Sequence, residues 1–241
     1  MDYMYFLIAI IACAVLSAFA SRKVSSAFKK YDRVRCISGY TGEQAARSLL
    51  HYGGVTDVSV GRVSGTLSDH YHPTKKVVNL SASTYDSSSV AAVAVAAHEI
   101  GHVMQKTEGY LPYRIRTALV PVVNFGSRLS MPLVFLGIII DALTLSTNPE
   151  LGFYIAMLGV ILYAGSFVFA LVTLPVELNA SRRAHKMLLS RGILYESETE
   201  GVKKVLFAAA LTYLASLLTS LVYFLRFLFY VLSIFGRRNR R

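Results

Sequence analysis

The residues best suited to chemistry are His98-Glu99-Ile100-Gly101-His102. Histidines four apart on a helix lie on one face about one turn apart, so both imidazoles can bind one metal ion. Glu99 leaves the helix at a different angle and suits a different task. It can contact a water in the open coordination position and take its proton. A bound metal lowers the pKa of such a water to about 7 and polarises a carbonyl as a Lewis acid. The chemistry on offer is metal-assisted hydrolysis.

A catalytic zinc of this kind needs a third protein ligand. One extended form of the motif has a glycine three residues after the second histidine and a histidine six after it. Those positions hold Gln105 and Glu108, and Glu108 falls near the expected helix end. The better candidate is Glu177, in Thr173-Leu174-Pro175-Val176-Glu177-Leu178-Asn179-Ala180-Ser181-Arg182-Arg183-Ala184. It stands where an uncharged stretch ends, and a carboxylate there is costly unless paired or bound to a cation. Ala180, Ser181 and Ala184 are small enough to let this helix approach the histidine helix closely. The bland alternative pairs Glu177 with Arg182 or Arg183. His185 is a rival ligand, expected to face solvent or lipid head groups instead. His70 and His72 could chelate as H-x-H, although a turn with substrate-facing polar groups is the preferred reading. His51 reads as structural. A tyrosine or His70 is expected to stabilise the oxyanion, and spacing does not choose between them.

These residues need elements to hold them. Val90 to Ala97 is a helix of small residues, preceded by the N-cap candidates Asp86-Ser87-Ser88-Ser89 and running straight into the histidines. Gly101 inside that helix costs about 1 kcal/mol relative to alanine, which close approach of another backbone or of a substrate would explain. Thr41 and Gln44 form a capping box for a helix stopped by Gly53-Gly54. Val58 to Val63 and Lys76 to Ser81 read as strands. The second is expected to act as an edge strand that pairs with an extended peptide.

The rest of the chain belongs to a bilayer. Of 241 residues, 54% are hydrophobic and only 16% charged, which disfavours both a soluble globule and disorder. Lys and Arg outnumber Asp and Glu by 25 to 14, and on an apolar chain this points to anionic lipid head groups before nucleic acid. Two cysteines, Cys13 in an apolar run and Cys36, exclude a disulfide framework. Tyr3 to Ala20 is an uncharged span. Its positive charges follow it, which favours an uncleaved anchor over a signal peptide. Ser130 to Leu145 and Leu151 to Leu174 read as a helical hairpin joined at Ser146 to Glu150. Val205 to Phe235 is too long for one simple crossing, and reads as a tilted span with an extension or as two pieces. Basic residues after the first span and between residues 182 and 204 place the polar regions in the cytoplasm. The terminal Arg237, Arg238, Arg240 and Arg241 conflict with a single final crossing and favour a re-entrant or doubled block.

Several blocks are similar to the YugP-type neutral zinc metallopeptidases of prokaryotic membranes. They are Leu67-Ser68-Asp69-His70-Tyr71-His72-Pro73, Lys76-Val77-Val78-Asn79-Leu80, Ser89 through His102, Pro175 through Ala184, and Ala209-Ala210-Leu211-Thr212-Tyr213. The likeness extends over most of Gly39 to Tyr213. It implies a membrane-bound gluzincin with the layout of HtpX-type peptidases. His98, His102 and Glu177 would then be ligands of one Zn2+, and Glu99 the general base. HtpX-type enzymes carry an acid four residues after the ligand glutamate, where this chain has Ser181. The YugP pattern often has aspartate where this chain has Asn179. Asn179 or Ser181 would therefore support the ligands, and His70 and Tyr213 are further candidates for support or for the oxyanion.

The expected fold is a membrane α+β protein: transmembrane helices with a small zincin-like α+β unit around the histidine helix. Its expected parts are an anchor (1–21), a cytoplasmic unit (22–117), a helical hairpin (118–174), a helix with the third ligand (175–204) and a C-terminal membrane block (205–241). The expected function is a multi-pass membrane zinc endopeptidase with its site facing the cytoplasm. Its partners would be a protein or peptide substrate and anionic lipids, with no nucleic acid, and a second copy or another membrane protein as a further candidate. The rival is a metal-binding membrane adaptor or scaffold that cuts nothing.

Overall fold

A computed structural model describes residues 3–143 and 150–236. The terminal arginines, and all of the hairpin turn before Glu150, lie outside the described residues. The molecule is mostly helical, in the order α1 (Tyr3–Tyr31), α2 (Gly42–Tyr52), β1 (Ser59–Val63), β2 (His70–His72), β3 (Val77–Ser81), α3 (Ala82–Tyr85), α4 (Val90–Thr107), α5 (Leu111–Leu143), α6 (Leu151–Ser190) and α7 (Thr199–Gly236). Helices α1, α5, α6 and α7 are each long and apolar enough to cross a membrane.

The chain divides into two units. One contains residues 1–17, 115–174 and 214–241; the other contains residues 18–114 and 175–213. Glycines set the helix packing of the first unit. A Cβ at Gly159 would lie 2.6 Å from the carbonyl oxygen of Ser130, and one at Gly137 would lie 2.5 Å from that of Gly152. Only a missing side chain lets α5 and α6 approach so closely, the usual solution where lipid supplies no hydrophobic drive. Val134, Ala156, Val160, Val231 and Phe235 form the buried core of this unit.

The second unit is built around α4. Ser89 caps it by accepting from the Ala92 N–H, and Ala91, Ala92, Val93, Ala94, Ala96 and Ala97 are all fully buried. A helix apolar on every side must be surrounded, which fits a central position. Helix α2 begins with the expected Thr41–Gln44 capping box and packs Ala45, Ala46 and Leu49 into the same core.

The sheet has the order β1-β3-β2, with β1 parallel and β2 antiparallel to β3. This corrects two expectations. The strand expected to be an open edge, β3, is central and hydrogen-bonded on both sides, so no peptide can add to it. The segment expected as a turn, His70–His72, is itself an edge strand. Antiparallel pairing with residues 77–79 uses backbone groups, to which the polar side chains of His70 and His72 offer no sequence signal.

Helix α7 runs unbroken from Thr199 to Gly236, so residues 205–235 form neither a re-entrant loop nor two pieces. At 1.5 Å per residue it is about 57 Å long, enough to cross a bilayer and continue into the second unit. Helix α6 likewise passes through Pro175 without ending.

Candidate metal centre

One close helix contact assembles the site. A Cβ at Gly101 would stand 2.6 Å from the Ala180 carbonyl oxygen. The glycine therefore serves the close backbone approach expected for it. That approach brings Glu177, one turn before Ala180, against the histidine face of α4.

His98 Nε2 lies 3.1 Å from Glu177 Oε2, and His102 Nε2 lies 3.4 Å from the same oxygen. The ligand atoms of the three residues all fall within 4.8 Å of one another. Atoms about 2.05 Å from one tetrahedral zinc ion stand about 3.3 Å apart, so the observed spacings suit such an ion. Glu177 is 2% exposed, and a carboxylate buried that deeply calls for positive charge beside it. Burial opposes a charge on His102, yet Glu177, with Glu99 nearby, outweighs it and raises the proton affinity of the ring. The three residues form a group that could hold a metal ion.

The outer hydrogen bonds decide which nitrogens face inward. Gln105 Nε2 donates to the Val176 carbonyl at 2.8 Å and to Asn179 Oδ1 at 3.0 Å. Its Oε1 must therefore accept from His102 Nδ1, 3.0 Å away, which leaves the lone pair of His102 on Nε2. Ser181 Oγ lies 3.2 Å from His98 Nδ1 and can fix that ring in the same way. Of the two residues expected to support the ligands, Ser181 touches one directly. Asn179 acts a step removed: it holds Gln105 and accepts from Arg183 Nε at 2.7 Å. Sequence reasoning missed Gln105, dismissed only as an absent glycine. Its place three residues after His102, on the same helix face, was the available signal.

Glu99 is 8% exposed and makes no hydrogen bond among the described residues. It lines a cavity of about 270 Å³ with His98, Asp69, Leu67, Val95, Val205, Leu206, Thr212 and Tyr213. Tyr213 thus stands in the same cavity as the motif. His70 does not: its Nε2 faces Asn79 Nδ2 at 3.0 Å, and its neighbour Asp69 lines the cavity instead. Asp69 is held by the N–H and hydroxyl of Ser81, at 2.7 and 3.0 Å.

The remaining candidates are placed elsewhere. His72 Nδ1 accepts from the Lys75 N–H, so His70 and His72 are committed to separate partners. His51 is exposed in the last turn of α2, a correction to its structural reading. Of the two arginines in the alternative reading of Glu177, Arg183 pairs with Glu108, the C-cap of α4, at 2.6 Å.

Comparison with known proteins gives the chain a family. Residues 5–232 match the family model described as "Putative neutral zinc metallopeptidase". The chain is 45% identical over 230 residues to the "Putative membrane protease YugP" of Bacillus subtilis (strain 168), an alignment covering 95% of this chain and 98% of that protein. No solved structure matches. The chain belongs to this family of zinc metallopeptidases.

Proposed function

We propose that this family member is an integral membrane zinc endopeptidase of the gluzincin kind, with its site in a zincin-like unit facing the cytoplasm. The observation that carries the reading is the convergence of His98, His102 and Glu177 beside a cavity lined by Glu99. The three residues would hold one Zn2+, which would supply Lewis-acid polarisation of the scissile carbonyl and a lowered pKa for water. Gln105 and Ser181 keep both rings turned so that Nε2 faces Glu177 Oε2. Glu99 takes the proton of the attacking water at its carboxylate and returns it to the leaving amine, the work of a general base and then a general acid. An extended peptide adds to the outer edge of β2, and Asp69, just before that strand, borders the cavity. Val95, Val205 and Leu206 give an apolar side chain of that peptide a place to sit. Tyr213 is the candidate donor to the developing oxyanion. Membrane-associated proteins or peptides are the proposed substrates, because Glu177 follows an uncharged run by only three residues.

The test uses the full chain in detergent or nanodiscs. Wild type is expected to hold about one zinc and cleave members of a broad peptide library. Glu99→Gln is expected to keep the zinc and lose activity by 10²–10⁴-fold or so. A zinc-loaded wild type inert across the library would favour the adaptor reading. Wild-type turnover by Glu99→Gln would remove Glu99 from the mechanism.

A further inference from the structure

A second cavity, of about 450 Å³, opens between α6 and α7; it shares Leu206 with the cavity beside Glu99, and its other lining residues are not in that cavity. Its wall on α6 is Leu178, Ser181, Arg182 and His185, spaced three and four apart along one face. Its wall on α7 is formed at one end by Glu200, Lys203 and Lys204 and at the other by Leu206, Phe207 and Ala210.

The groove has a polarity. The two helices run in opposite directions through it, yet their charges gather at the same end. Arg182 and His185 on α6 and Lys203 and Lys204 on α7 line it toward the connection between the helices, with His185 close enough to Lys203 to feel its charge, while Leu178, Phe207 and Ala210 line the other end. On both helices the apolar end is the one from which the chain continues into an uncharged stretch. Glu200 pairs with Lys204, but Arg182 and Lys203 have no acidic partner within salt-bridge distance among the described residues. His185 Nε2 is buried with no hydrogen-bond partner. Phe207 is 65% exposed. A ligand that satisfies all of these is anionic at one end, accepts hydrogen bonds there, and is a long hydrocarbon at the other.

We propose that this groove is a binding site for one anionic phospholipid of the surrounding bilayer. Its phosphodiester is held by Arg182, Lys203 and His185, and its acyl chain lies along Phe207, Leu206 and Leu178. Basic pockets between membrane helices bind anionic head groups by this combination of charge and apolar contact. Ser181 lines the groove and also contacts His98, so the lipid abuts the residue that orients a proposed ligand. The site stands whether or not the chain cleaves peptides.

The test is native mass spectrometry of the delipidated full chain titrated with phosphatidylglycerol and with phosphatidylcholine. Wild type is expected to take up one phosphatidylglycerol with about a tenfold or greater preference. The variant Arg182→Gln/Lys203→Gln/Lys204→Gln is expected to lose that preference. Phe207→Ser, with the charges intact, is expected to weaken uptake several-fold. A control with equal charge removed elsewhere, Arg22→Gln/Lys23→Gln/Lys29→Gln, is expected to behave as wild type. All of these substitutions are at exposed positions, and an unchanged melting temperature reports intact folding. The proposal is overturned if the groove variant keeps the preference or if the control loses it equally. Displacement of the lipid by glycerol phosphate or by an acidic peptide at equal concentration also overturns it.

Discussion

At the scale of single residues, the chemistry rests on which atom of each side chain is free to act. Glu177 has two imidazole Nε2 atoms within 3.4 Å. Its replacement by alanine leaves two of the three proposed ligands and an open wall. Glu177→Ala is expected to lower zinc affinity by more than about 100-fold, read as zinc per chain after dialysis against a weak chelator. Equal zinc in variant and wild type would move the third ligand elsewhere. Gln105 offers a finer test, because it touches His102 through Nδ1 and stands outside the ligand set. Gln105→Leu keeps the volume but releases the ring, and is expected to cost about 10–100-fold in zinc affinity. Gln105→Glu, which can still accept from Nδ1, is expected to recover part of it. A purely packing role would be served equally well by leucine.

At the scale of elements, the contact between α4 and α6 is the decisive feature. Two helices at ordinary separation would hold Glu177 too far from the histidines. Any side chain at residue 101 meets the Ala180 carbonyl. Gly101→Val is therefore expected to destabilise the protein by about 1–3 kcal/mol through overpacking. It is also expected to lose zinc out of proportion to its loss of helix, measured by circular dichroism beside metal content. Zinc binding at wild-type strength in a folded Gly101→Val protein would show that the close approach is dispensable. The sheet makes a comparable point. With β3 enclosed, the proposed substrate pairing passes to β2, whose three residues give a short edge. A short edge resists unwanted self-association while still accepting a few backbone hydrogen bonds.

At the scale of the whole molecule, the proposed metal and the fold would be thermodynamically linked. An ion that binds the folded chain and not the unfolded one stabilises it by about 4 kcal/mol at a thousandfold excess over Kd. Removal of zinc by a chelator is thus expected to lower the melting temperature, and Glu177→Ala is expected to be indifferent to the same treatment. Orientation is testable as well. Ser197 is exposed in the connection between α6 and α7, while Cys13 lies in a membrane span and Cys36 is buried. A Ser197→Cys chain is expected to react with an impermeant maleimide only after cells are opened. Labelling of intact cells would put this connection, and the proposed site with it, outside.

Much of this protein could be read from its residue order because the signals are local. Histidines at i and i+4, the Ser89 and Thr41 caps, and long apolar runs each arise from neighbours along the chain. So did the suspicion about Glu177, a carboxylate that needed a partner. What the sequence left open are contacts between segments far apart in it. The partner of Glu177, the support given by Gln105 through Val176 and Asn179, and the burial of β3 between two other strands depend on how distant backbones meet. The same holds for the groove that gathers Arg182 and Lys203 from two helices. Periodicity and composition record only whether a residue is apolar and which face it occupies. They carry no register between elements, so the folded chain alone decided which polar group each of these residues would face.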